Sequence, residues 1–165
     1  MTIGADILRT QLDYSHWANR RLIDIANQLT AEELARDFGT ADKSVLGTLV
    51  HVYASERTWL RRLVGAPAVT FVTEADYRMP VIEEDWPALG QRWQEWAGGL
   101  TDANAEKPIS YKDLRGASWE QPVWQIVLHV VNHGSHHRGQ VSGFLRSMGR
   151  TPPPLDLIRY YREDR

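Results

Sequence analysis

The chain contains no cysteine. That excludes disulfides, thiolate metal ligands and a catalytic thiol, so any metal must be held by nitrogen and oxygen donors. The absence also fits a cytoplasmic location. No apolar run approaches the ~18 residues that span a bilayer, so no membrane partner is expected. The opening Met1-Thr2-Ile3-Gly4-Ala5-Asp6 has neither a basic start nor a long apolar stretch, which argues against a secretory signal. An excess of one charge is also lacking: 19 basic and 21 acidic residues give a formal net charge of −2. That balance supplies no drive toward nucleic acid. The one tight basic cluster, Arg57, Arg61 and Arg62, reads as a solvated helix face.

What is present suits a helical protein with a real core. The 165 residues fit one domain, 1–165, with 42% hydrophobic residues and seven tryptophans to fill its interior. Apolar positions recur at helical spacing nearly throughout. A first helix is expected from Thr2 to Leu29, followed by a capping signal at Thr30-Ala31-Glu32-Glu33. A second runs from Lys43 or Ser44 to Val64 and ends at Gly65 and Pro67. After a long connection, a third starts near Glu83 or Glu84, with Pro87 in its first turn and a stripe of Trp86, Leu89, Trp93, Trp96 and Leu100. Ile109–Tyr111 and Ala117–Trp119 flank Gly116 and read as a short β-hairpin. The last long helix runs from Pro122, at its first position, to Met148, with Gly149 just beyond. Leu155 to Tyr161 form a final short turn after Pro152-Pro153-Pro154. The expected fold is all-α: a four-helix bundle whose long connection allows an up-down-down-up order.

The chemistry is in the histidines. Four of six fall within nine residues: His129, His133, His136 and His137. With His129 at zero, helical rotation puts His133 at roughly +40°, His137 at roughly +80° and His136 at roughly −20°. All four lie on one side of the last helix. Two histidines at i and i+4 can chelate a metal from one helix. Two ligands bind weakly, so a third is expected from another helix. His51, set among Leu49, Val50, Val52 and Tyr53, is the best candidate. His16, between Ser15 and Trp17, reads as a surface or packing residue.

The run Asn132-His133-Gly134-Ser135-His136-His137-Arg138-Gly139-Gln140 resembles the last-helix motif of the DinB superfamily. Tyr14 to Leu22, with Trp17-Ala18-Asn19-Arg20-Arg21-Leu22, is similar to that family's first helix. Leu46-Gly47-Thr48-Leu49-Val50-His51, followed by Glu56-Arg57 and Trp59-Leu60, is similar to its second. The likeness continues from Leu145 to Pro153 and covers nearly the whole chain. It implies a four-helix bundle with a three-histidine site for one divalent metal, the ligands being His51, His133 and His137. Members of the family include metal-dependent transferases and isomerases that use low-molecular-weight thiols.

On this reading His129 and His136 lie beside the metal as pocket residues, with His136 as readily a surface group. Arg138 and Gln140 are balanced between binding an anionic or amide-bearing substrate and structural roles. Glu56, about 140° round the helix from His51, is expected to partner an arginine rather than the metal. No carboxylate is expected close enough to fill a fourth position, so the site should stay open to solvent or a small molecule, as catalytic sites do. Imidazole suits zinc, nickel, iron or copper, so ligand type does not select the metal. The leading expectation is an enzyme in which a metal-activated thiol or water attacks a small electrophile. The alternatives are a metal-dependent hydrolase and a non-catalytic, stress-associated metal binder. No catalytic side chain is assigned. The expected partners are a small-molecule substrate and a low-molecular-weight thiol, and a homodimer is compatible with the sequence.

Overall fold

The computed structural model describes residues 3–68 and 70–163. Its seven α-helices are α1 (Ala5–Ala26), α2 (Ala31–Ala35), α3 (Val45–Leu63), α4 (Trp86–Gly98), α5 (Asp102–Ala105), α6 (Val123–Ser147) and α7 (Leu157–Glu163). One hairpin, β1 (Pro108–Lys112) and β2 (Ser118–Pro122), precedes α6. The fold is therefore all-α with a two-stranded antiparallel sheet, as expected. None of the described helices is long and apolar enough to cross a membrane.

Local chemistry sets the boundaries. Thr30 and Glu33 form a reciprocal capping box on α2. The Ser44 hydroxyl accepts from the Gly47 N–H and starts α3. Gly65 and Gly149 end α3 and α6 with positive φ. The first helix begins at Ala5, and the expected start at Thr2 lies outside the described residues. Pro122 proves to be the last strand residue and the N-cap, so α6 opens at Val123. The turn before α4 also differs from expectation. Val81–Asp85 form a π-helical turn, with the Trp86 N–H reaching back to the Val81 carbonyl. Pro87 explains it: its nitrogen has no hydrogen to give and its ring crowds the carbonyl four residues back, so the preceding turn widens.

The four long helices pack through the core. Ala5 N–H donates to Asp102 and Val123 N–H to the Lys107 carbonyl, so α1 and α6 start at the same end. Beyond their far ends Arg150 bonds Glu33. Arg9 reaches the Leu100 carbonyl and Gln94 reaches Asp13, so α4 runs against α1. His51 of α3 lies by His133 and Trp59 lies by His129, so α3 runs against α6. These directions support the up-down-down-up reading. Trp86, Leu89, Trp93 and Leu100 are buried as expected, while Trp96 is half-buried.

A polar network crosses this core. The buried Arg138 donates from Nη1 to Ser15 Oγ (3.0 Å) and Asn19 Oδ1 (2.9 Å), and from Nη2 to Ser135 Oγ (2.9 Å). Asn19 Nδ2 and Trp86 Nε1 donate to the two oxygens of Glu56 at 2.8 and 2.7 Å. Glu56 thus hydrogen-bonds an asparagine and a tryptophan, and faces the charge of Arg138 across the shared Asn19, so the expected arginine partner is present as a charge neighbour rather than a hydrogen-bond donor. Gly134 makes room, since a Cβ there would sit 2.7 Å from Arg138 Nη1.

The basic cluster on α3 is not a free solvated face. Arg57 pairs with Asp76 at 3.0 Å and bonds the Phe71 carbonyl at 2.8 Å. Arg61 bonds the Pro67 carbonyl and Arg62 the Lys112 carbonyl. The three arginines hold the long connection and the hairpin against α3, because both segments present carbonyls that the helix itself cannot satisfy.

Candidate metal centre

His51 lies one and a half turns into α3, while His133 and His137 stand one turn apart on α6. The antiparallel packing of the two helices brings them together. One ligand atom from each falls within 4.8 Å of the other two. His51 Nε2 faces His133 Nε2 at 3.1 Å. Imidazole nitrogens about 2.0–2.1 Å from a tetrahedral ion lie roughly 3.3 Å apart, so this spacing fits a shared cation. Among the described residues, this cluster contains no carboxylate or fourth histidine. The donor set is three nitrogens, which suits a borderline divalent ion.

The outer ring nitrogens are held by the protein. His137 Nδ1 is 2.7 Å from Gln140 Oε1. His51 Nδ1 is 3.2 Å from Asp42 Oδ1, and Asp42 Oδ2 is 3.8 Å from His137 Nδ1. Such contacts fix tautomer and ring orientation, leaving each Nε2 for the shared point. Gln140 is therefore placed to hold the ring of a candidate ligand, in keeping with the structural one of the two roles left open for it. Arg138 is likewise settled: it is buried in the core network.

Asp42 is the residue the sequence reading missed. Its turn is demanding. Lys43 has φ of 61°, a left-handed conformation uncommon outside glycine. A Cβ on Gly47 would meet the Asp42 carbonyl oxygen at 2.1 Å. A glycine in the first turn of a helix pattern was the available signal, since it marks a close backbone approach.

Electrostatics favour neutral imidazoles. Burial pushes the His133 pKa down to about 3, helped by its histidine neighbours. Burial also lowers His51, against the pull of the Asp42 carboxylate. Neutral rings present lone pairs, the form a metal binds.

The remaining histidines separate. His129 is exposed, with its ring 5.7 Å from His133 and 5.3 Å from Trp59. His136 is exposed, with its ring 5.0 Å from His137. His16 packs on Gly90 of α4, away from the cluster. A cavity of about 650 Å³ lies between α1, α4 and α7 and touches none of the three clustered histidines. A smaller cavity of about 270 Å³ reaches His129. Phe71, from the long connection, stands edge-on to His51 at 5.5 Å.

Comparisons with known proteins identify the family and the fold. A family model described as the DinB family matches residues 5–165. Protein DinB of Bacillus subtilis (strain 168) is 26% identical over 157 residues, covering 90% of each chain. Uncharacterized protein YizA of the same organism is 26% identical over 137 residues, covering 80% of this chain and 82% of that one. A crystal structure of a DinB-like protein from Bacillus cereus ATCC 10987 shares the fold with a TM-score of 0.70 at 19% identity, covering 93% of this chain and 99% of that one.

Proposed function

The chain belongs to the DinB family, and from that premise we propose that it is a metal-dependent enzyme that activates a low-molecular-weight thiol for attack on a small electrophile. The observation that carries the reading is the convergence of three imidazoles from two helices, with two of their outer nitrogens anchored by Asp42 and Gln140. His51, His133 and His137 would hold one divalent ion, of zinc, nickel or iron type. When bound, such an ion lowers the pKa of a coordinated thiol or water toward neutrality.

The residues of the chain supply binding and orientation. His51 and His133 are half-buried rather than sealed in the core. Phe71 covers one flank of His51. Asp42 faces the outer nitrogens and so orients ligands rather than taking a proton from substrate. The thiol proton passes to solvent at the open side. A carbon–sulfur bond forms at the electrophile, and its leaving group departs with the bonding pair. Low-molecular-weight thiols are kept reduced in the cytoplasm, the location this reading requires.

The test is a conjugation screen of the zinc-, nickel- and iron-loaded protein with bacillithiol, mycothiol and glutathione against aryl halides and epoxides. Thiol-dependent turnover that disappears in His133→Ala is expected. Turnover without thiol would make the protein a hydrolase. Stoichiometric metal binding without turnover on any substrate would make it a non-catalytic binder.

A further inference from the structure

Along the groove between α3 and α6, a row of rings leads away from the histidine cluster. From His133 it passes to His129 (5.7 Å), Trp59 (5.3 Å) and Tyr111 (4.9 Å). At its far end is the cavity of about 270 Å³, lined also by Gln121, Gln125 and Ile126. Gln125, His129 and His133 stand at successive i+4 positions. The cavity therefore lies roughly 6–12 Å along α6 from the candidate metal ligand.

The chemistry of its walls is specific. None of the six lining residues is Asp, Glu, Lys or Arg. Trp59 and Tyr111 meet edge to face at 75° and supply aromatic surface. The Tyr111 hydroxyl donates to Gln121 Oε1, which leaves the Gln121 amide hydrogens as donors. Gln125 and His129 are exposed polar groups at the mouth. Arg62 does not line the cavity but stands behind its aromatic walls, where its charge is felt at His129. Its guanidinium covers Trp59 at 4.4 Å and Tyr111 at 4.8 Å while Nη2 donates to the Lys112 carbonyl. Arg62 thereby fixes the hairpin as a wall.

From this geometry we infer that the cavity is a subsite for the uncharged, planar aryl part of the electrophile, held so that its reacting atom reaches the histidine cluster. The inference rests on the thiol-transfer reading for which of the two substrates is meant. Aromatic walls with a few amide and imidazole groups recognise a flat apolar ring bearing one hydrogen-bonding substituent. A low-molecular-weight thiol, with its ionised carboxylate or ammonium groups, would find no ion partner among the lining residues, and burying an unpaired charge is costly. The thiol therefore approaches from the open side of the cluster and the aryl group occupies the groove.

The probe is benzamide, with cyclohexanecarboxamide as its saturated counterpart, titrated into the zinc-loaded full chain and followed by side-chain amide and imidazole NMR signals. Saturable shifts are expected at Gln121, Gln125 and His129, with benzamide binding about tenfold more tightly than the saturated amide. Gln125→Trp, which fills the mouth from an exposed position, should abolish binding, and Gln125→Ala should retain the preference for the aromatic amide. Zinc content should be unchanged in both. His133→Ala should lose zinc yet still bind benzamide. No saturable shift up to the solubility of benzamide, shifts centred elsewhere, or equal binding of the two amides would overturn the subsite. Failure of thiol turnover with benzamide binding intact would count against the thiol-transfer reading alone.

Discussion

His137 and Arg138 are neighbours in sequence, yet they serve two polar centres of opposite character. Arg138 enters a network in which charge and hydrogen bonds are largely matched within the protein: Ser15, Asn19 and Ser135 accept its N–H groups, and Asn19 and Trp86 donate to Glu56. Only its Nε lacks a partner. His137 enters a cluster of three imidazoles that present nitrogens to one another. Apart from the Arg138 Nε, donors meet acceptors in the first centre. The second collects electron pairs, with Asp42 and Gln140 reinforcing them from outside. One helix turn thus carries both an internal clamp and a receptor for a cation. The difference is in partner chemistry rather than in burial, since Arg138 and His137 are both buried.

The sharpest way to break that comparison is to delete each centre. Replacing His51, His133 and His137 together by Ala should take the metal content from about one divalent ion per chain to none, as read by elemental analysis after loading and desalting. The fold should persist by circular dichroism. Replacing Glu56 or Arg138 by Ala should do the reverse. Each strands a buried charge and should cost about 3–5 kcal/mol of stability in denaturant titration. Metal uptake below the unfolding transition should be retained.

Asp42→Asn should leave stability close to wild type and weaken metal binding by about 10–100-fold in chelator competition, the usual cost of losing an outer carboxylate. An unchanged affinity would reduce Asp42 to a loop contact.

The two centres should also respond to pH with opposite sign in the metal-free protein. His133 titrates at about 3 in the fold against 6.5 for an ordinary histidine. The unfolded chain therefore binds more protons between those values. The stability His133 contributes is complete above pH 6.5 and is lost as pH falls toward 3. Glu56 is raised above 4.5 by burial, so its contribution is complete below that value and is lost as pH rises through the folded pKa. Denaturant midpoints across pH, compared with those of His133→Gln and Glu56→Gln, should show each variant losing the slope of its own centre.

The smallest effects are expected outside the cluster. His129→Gln and His136→Gln should keep wild-type metal content. Equal losses at His129, His133, His136 and His137 would mean that the ligands on α6 had been chosen wrongly.

The helices were legible because they depend on short-range repetition, whereas the ligand set came from the resemblance to the DinB family. Spacing gathers His129, His133, His136 and His137 on one face, but His129 and His133 share the i, i+4 relation of His133 and His137, so only the family motif selects the pair. The α3 helix announces itself by Ser44, its apolar stripe and Gly65. The elements that escaped depend on partners distant in sequence or on backbone geometry. Asp42 sits in an irregular turn whose left-handed Lys43 has no compositional mark. Glu56 was read from its own helix face, which shows that it turns away from His51 but not that Asn19 and Trp86 receive it. The arginines of α3 looked solvated because the carbonyls they bind belong to a connection without periodicity. The π turn at Val81–Asp85 lies upstream of the proline that causes it.

The central claim is that His51, His133 and His137 share one ion and leave a position open. Anomalous diffraction from zinc-loaded crystals tests it directly. The account predicts one anomalous peak, bonded to the three Nε2 atoms, with water or a small anion completing the coordination. A peak elsewhere, or a fourth protein ligand closing the tetrahedron, would contradict it.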